Sequence, residues 1–244
     1  MSHNSVRDIL FIRSYPKYFI QNHYFKNIFQ SLANNKGITI RYKNHNITFL
    51  FPGIGKKQKI PHKNIIHRIN SGLITDIVDV GGGGALDPQL KKGDIILSSN
   101  DVPSDTMEPI KVKRRKVIKN IVKKIADKRE SRFYERNILT SDRLAGKRDT
   151  RLKLFNKTRC SVVQMEHCWF LRSLAKRMSS QSLDSVYVTH IEVITDEVPD
   201  DQRFLSNMKE LYFGLTCCFL FNNKYLGTIK NDFLKTWLNN EHGI

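Results

Sequence analysis

The chain has 244 residues, 40% apolar and 26% charged, which suits one large core and is too apolar for a disordered chain. Lysine and arginine outnumber aspartate and glutamate by 41 to 23, a formal charge of +18, and two readings of it stand: a field that attracts phosphates, nucleic acid or an anionic membrane surface, or a background rich in lysine, asparagine and isoleucine throughout. Cys160, Cys168, Cys217 and Cys218 lack paired C-x-x-C spacing and are too sparse for a disulfide framework, and no apolar stretch reaches the roughly 20 residues that span a bilayer.

In chain order, Ile9 to Ile12 reads as a buried strand, and the aromatic-rich segment from Tyr18 to Leu32, after Pro16, as a helix packed on it. The N-terminal segment MSHNSVRDILFIRSYPKYF carries charges within its short apolar run and no small-residue cleavage site, which makes it a poor signal peptide. Thr39 to Tyr42 and Ile47 to Phe51 alternate on either side of the turn-like KNHN and predict a β-hairpin. Beyond PGIGKKQ, residues His62 to Ile69 predict a helix, and Asp76 to Val80 a strand ending in four glycines. Strand, helix and strand in succession favour an α/β sheet.

Residues 111–129, KVKRRKVIKNIVKKIADKR, place Ile118, Ile121, Val122 and Ile125 on one helical face and basic residues nearly everywhere else. This is either a surface helix with a solvated charged face or a contact for nucleic acid or anionic lipid. A helix is predicted from about Met165 to Met178, a strand over Ser185 to Ile194, a helix over Leu205 to Phe221, and a short helix including Phe233 to Leu238.

The glycine run carries the first chemical signal. A strand leading into Gly81, Gly82, Gly83 and Gly84 brings backbone N–H groups up to a ligand where no Cβ intervenes, although glycines also serve tight turns. The spacing matches neither a P-loop nor a dinucleotide fingerprint.

Five segments in a fixed order extend that signal: FPGIGKK, GGGGALDPQLKKGDIILSS, Thr140 to Asp142, Met165 with Glu166, and VITDEVPDD. In their order and spacing the chain resembles the nucleoside phosphorylase and nucleosidase superfamily, nearest in motif order to the methylthioadenosine and adenosylhomocysteine nucleosidases. FPGIGKK is similar to that family's Gly-Ile-Gly-Lys turn, and GGGGALDPQLKKGDIILSS to its glycine loop and following strand. Thr140, Ser141 and Asp142 resemble its Ser-Gly-Asp segment, Met165 and Glu166 its Met-Glu pair, and VITDEVPDD its Ile-Ser-Asp segment.

The resemblance implies a single domain over residues 1–244, a three-layer α/β/α fold with a central mixed, twisted sheet, and cleavage of the N-glycosidic bond of a purine-type nucleoside. Such cleavage passes through a ribosyl cation-like state, so a site must hold the ribose, protonate the departing base and supply a nucleophile. The resemblance gives Glu166 the ribose hydroxyls, Met165 the sugar face, and Asp196 the role of general acid toward the purine N7, oriented by Thr195. Backbone near Gln164 would read the base, Gly81, Gly82 and Gly83 would line the nucleophile end, and Ser141 and Asp142 would be among the substrate-binding residues. Read from the residues alone, Glu166 is a partly buried structural carboxylate and Asp196 a turn or helix cap.

Departures from the pattern bear on mechanism. ILFIRSYPKYFIQN contains no acidic residue to activate water, whereas Arg13 and Lys17 lie where the phosphorylases of the family place phosphate-binding cations. Val78, Asp79 and Val80 replace the arginine before the glycine loop, Glu192 stands where many nucleosidases have arginine, and Arg143 and Leu144 replace a base-stacking aromatic. Hydrolysis and phosphorolysis both stay open, as does a nucleoside-binding or partner-binding protein without turnover. No metal or cofactor is expected beyond inorganic phosphate as co-substrate of a phosphorylase, and the setting expected is a cytoplasmic homodimer.

Overall fold

The computed structural model describes residues 8–12, 38–42, 45–50, 63–143, 145–178, 182–198, 228–230 and 232–237. Its elements are β1 (Asp8–Ile12), β2 (Ile38–Tyr42), β3 (His45–Leu50), α1 (Lys63–Asn70), β4 (Ile74–Ala85), β5 (Ile95–Pro103), α2 (Val117–Lys128), β6 (Phe133–Thr140), α3 (Arg148–Thr158), β7 (Val162–Gln164), α4 (His167–Ala175), α5 (Ser182–Ser185) and β8 (Tyr187–Asp196). Residues 232–237 add a short helix where one was expected. The helices expected over Tyr18 to Leu32 and Leu205 to Phe221, the FPGIGKK turn, and Cys217 and Cys218 lie outside the described residues. The chain divides into two compact units: Met1–Val80 with Lys111–Arg115 and Glu166–His190, and Gly81–Ile110 with Lys116–Met165 and Ile191–Ile244.

In the first unit the strands lie in the order β2-β3-β1-β4. The expected hairpin forms, with Ile38 to Tyr42 antiparallel to Phe49 to His45, and β1 runs parallel to both β3 and β4. Because β1 is flanked on both sides, all five of its residues are buried, as a near-continuous apolar run in a parallel strand requires. Its one acid, Asp8, is compensated by Arg68 Nη2 at 2.6 Å and Asn46 Nδ2 at 2.7 Å. Helix α1 buries Ile65, Ile66 and Ile69, one apolar stripe at helical spacing. It ends at Gly72, whose φ of 72° a side chain resists and whose missing Cβ would touch nothing within 4 Å, so conformation selects glycine there rather than space.

The basic segment is shorter as a helix than its sequence suggests. Helicity covers Val117–Lys128, not 111–129. Lys113 instead bridges to Tyr187, with Val188 N–H donating to the Lys113 carbonyl at 2.8 Å. Arg115 is structural: its Nε and Nη2 reach the two carboxylate oxygens of Asp76 at 2.5 and 2.9 Å, and its guanidinium lies 3.9 Å from the Tyr187 ring centroid.

In the second unit the order is β4-β7-β6-β5-β8, and β4 also pairs with β8. The β5–β6 and β6–β7 pairs are parallel, while β4–β7 and β5–β8 are antiparallel, giving the mixed sheet with helices of the α/β class expected. Helix α2 buries Ile118, Ile121, Val122, Ile125 and Ala126, each isoleucine contributing about 1.5–3 kcal/mol. Its lysines face outward, with Lys119 on Glu135 at 2.5 Å. Among the described residues no helix is long and apolar enough to cross a membrane.

One expectation about the glycines is overturned. They do not follow the strand as a loop; β4 continues through Gly81, Gly82, Gly83 and Gly84 to Ala85, and none of the four has a positive φ. A Cβ on Gly83 would lie 2.5 Å from Val162 Cγ1, closer than carbon atoms approach, so adjacent strands require a bare backbone there.

Cys160 is fully buried, and that burial pushes its thiol above the usual range, against a weaker opposing hydrogen bond with Thr158. The native protein is expected to leave Cys160 unmodified by iodoacetamide at mildly alkaline pH and to expose it on denaturation, as peptide mass mapping would show. Labelling in the native state at the rate of a free thiol would contradict this burial.

Candidate active site

Strand β8 delivers Thr195 and Asp196 at its C-terminal end. Asp196 keeps a side-chain exposure of 35%, enough to meet a ligand, while both its oxygens already accept hydrogen bonds. Oδ1 takes the Thr195 hydroxyl at 2.8 Å, with Gly83 O a longer alternative for the same proton at 3.3 Å. Oδ2 is held by Arg151 Nη2.

Sequence reasoning missed Arg151. It lies in α3, is 2% exposed, and also donates through Nε to Ala145 O at 2.6 Å and through Nη1 to Glu197 O at 2.9 Å and Ala85 O at 3.2 Å. A Cβ on Gly84 would sit 3.0 Å from Asp196 Oδ2 and 3.2 Å from Arg151 Nη2, so this glycine makes room for the ion pair. Asp196 is therefore a partner of a buried cation. Glu197 is tied back to the neighbouring turn by the Lys92 N–H and by Lys91 Nζ, both at 3.1 Å. The backbone hydrogen bond first, and then the lysine, hold its carboxyl below the ordinary range.

Glu192 is fully buried and lies opposite Ile96 in the β5–β8 register. Its Cβ is 3.5 Å from where a Cβ on Gly83 would stand. Gln164 and Ser141 form one structural unit. The Gln164 side-chain amide donates to Thr140 Oγ1, and Ser141 N–H donates to Gln164 O at 2.8 Å, so that carbonyl is already engaged. Ser141 is buried and its hydroxyl accepts Arg143 N–H at 3.1 Å, while Asp142 is exposed. Met165 is half-buried directly after β7.

In the first unit, Glu166 immediately precedes α4 instead of lying within it. Its backbone is non-helical at φ −121° and ψ −48°, and its side chain makes no capping hydrogen bond to the helix. The Glu166 carbonyl accepts the Phe170 N–H at 3.0 Å, which starts the helix and fixes the residue's place. Asp79 Oδ2 lies 2.7 Å from His167 Nδ1, and the His167 ring stacks on His190 at 3.8 Å and 14°.

These three groups are buried, with potential ligand atoms within 4.8 Å of one another. Imidazole lone pairs lie in the ring plane, so two nearly parallel stacked rings do not converge on one ion at the roughly 2.1 Å that a zinc–nitrogen bond needs. The arrangement fits a hydrogen-bonded pair with a stacked neighbour, not a metal centre. Leu144, Arg13 and Lys17, the last two expected to bind phosphate, lie outside the described residues.

No protein-family model and no curated protein matches the chain. Solved structures do. Futalosine hydrolase of Helicobacter pylori, in a mutant form, is similar at 14% identity and a TM-score of 0.63, over 96% of this chain and 99% of that one. The 5′-methylthioadenosine/S-adenosylhomocysteine nucleosidase of Helicobacter pylori with butyl-thio-DADMe-Immucillin-A is similar at 16% identity and 0.63, over 96% and 98%. An S-adenosylhomocysteine nucleosidase from Streptococcus pyogenes with 5-methylthiotubericidin is similar at 13% identity and 0.62, again over 96% and 98%. The described strands and the matched length together give this chain the α/β fold of these solved nucleosidase and hydrolase structures.

Proposed function

We propose that this chain cleaves the N-glycosidic bond of a purine-type nucleoside, with a methylthioadenosine-like or adenosylhomocysteine-like substrate favoured. The observation that carries the reading is Asp196: a partly exposed carboxylate at the end of β8, beside Gly84 and fixed by Thr195 and Arg151, on a fold whose solved examples hold nucleoside analogues. As the C1′–N9 bond breaks, its electron pair passes into the base, and Asp196 delivers a proton at N7. The carboxylate left behind keeps its hydrogen bond from Arg151 Nη2. Glu166 accepts hydrogen bonds from the ribose hydroxyls, its negative charge favouring the developing ribosyl cation, and Met165 lies against the sugar. Gly81, Gly82 and Gly83 border the nucleophile end; a homodimer in the cytoplasm, with no cofactor other than phosphate, completes the proposal.

Phosphate dependence distinguishes the two chemistries. Methylthioadenosine, adenosylhomocysteine, inosine and adenosine are each incubated with the protein, with and without phosphate. Release of base without phosphate identifies a hydrolase; release that needs phosphate identifies a phosphorylase and gives Arg13 and Lys17 their role. A second reading, binding without turnover, is favoured by one observation: Arg151 already occupies Asp196 from within the chain. Its signature is saturable nucleoside binding with the ligand recovered intact.

A further inference from the structure

We infer that Arg151 is a positioning residue for Asp196, setting the direction of the carboxylate that meets the base; this rests on the glycosidic-bond reading above. Three segments converge on its guanidinium. Ala85 follows the glycine run, Ala145 follows the Thr140 to Asp142 segment, and Asp196 with Glu197 ends β8; Arg151 binds all three through Nη1, Nε and Nη2. At 2% exposure the guanidinium has no open face to offer a ligand, so its influence on the reaction passes through the carboxylate it holds.

The geometry is specific to arginine. A planar fork with five donors serves a carboxylate and four carbonyls at once, those of Ala85, Ala145, Asp196 and Glu197, whereas an ammonium group serves fewer and at a single point. With Oδ2 fixed by Arg151 and Oδ1 by Thr195, the carboxylate plane cannot rotate, and one edge of each oxygen stays available to the base. Gly84 belongs to the same device, since its missing Cβ is the space in which the ion pair sits. A buried cation is costly unless fully paired, and here the carboxylate and the four carbonyls are gathered around it.

The test is a double-mutant cycle between R151M and D196N, read as kcat and KM for base release from the substrate that wild type turns over best. R151M is expected to lower kcat about 100-fold, the scale of loss when a catalytic group is misplaced by about 1 Å, with a smaller change in KM. R151K is expected to restore part of that loss because it returns the charge but not the fork. In the D196N background, R151M should lower kcat no further, since its effect acts through the carboxylate. A residue that only stabilises the fold would instead lower kcat by the same factor in both backgrounds.

Wild-type kcat in R151M, or additive losses in the double variant, would overturn the inference while leaving the proposed function standing. If R151M does not fold, the same cycle is run with R151K. Absence of base release from folded wild type would instead sink the reading on which the inference rests.

Discussion

Replacing Asp196 by asparagine is expected to lower kcat for base release by about 10²–10⁴-fold, the range that a positioned proton donor contributes, and to lower the thermal midpoint by about 3–12 °C. Asparagine keeps the size of the side chain and an oxygen that can accept from Thr195 or Arg151, so the local frame persists. What it lacks is an acidic proton. Arg151 loses its counter-charge but retains the carbonyls of Ala85, Ala145 and Glu197, which limits the stability cost to about the 1.5–3 kcal/mol of one hydrogen bond to a charged group. Steady-state kinetics with calorimetry checks both halves. A kcat within about threefold of wild type, a difference below about 1 kcal/mol in barrier height, would remove Asp196 from the mechanism.

The second large effect falls on stability. Arg115→Met is expected to destabilise the first unit by about 3–5 kcal/mol, the cost of breaking a buried ion pair by removing one partner. Asp76 is 2% exposed, and its two oxygens depend on the Arg115 fork, with the Thr75 hydroxyl at 2.7 Å as a further donor. The Tyr187 ring would lose the guanidinium stacked on it as well. Lys123→Met, on the exposed face of α2, provides the contrast, expected within about 0.5 kcal/mol of wild type. Denaturant unfolding of both variants measures the difference. Equal midpoints would return Arg115 to the solvated basic stretch that the sequence alone suggests.

These two sites mark what is legible in the sequence. Apolar runs predict β1, strand β3 of the hairpin, α1, α4 and β8 because apolar residues make up most of the buried positions in each, although Asp8, His167, His190 and Glu192 are buried among them. Helix α3 escapes such reasoning for a physical cause. RDTRLKLFNKT has no apolar stripe, and its fully buried residue is Arg151 itself. An arginine amid polar residues reads as solvated, and only the carbonyls and the carboxylate gathered around it in space reveal the opposite. Strand β7, three residues long, is too short to show a period, and β6 presents its polar residues Glu135 and Arg136 mid-strand.

The candidate site is legible in its residues but less so in their employment. Ordered resemblance points to Glu166 and Asp196; the structure places Glu166 before α4 rather than within it and gives Asp196 a buried cationic partner. By pattern alone the glycine run is a ligand-facing loop. Gly83 and Gly84 are instead required by Val162 and by the Arg151–Asp196 pair, contacts between segments far apart in the chain that no local pattern encodes. Asp79, in sequence only a departure from the family's arginine, is engaged by His167.

The most direct measurement is chromatographic quantification of free base after methylthioadenosine or adenosylhomocysteine is incubated with excess folded protein, with and without phosphate. Glycosidic cleavage predicts one equivalent of base for each equivalent of nucleoside consumed, at a rate that D196N lowers by about two orders of magnitude or more. Quantitative recovery of both nucleosides intact under both conditions, from protein of native circular dichroism, would contradict it.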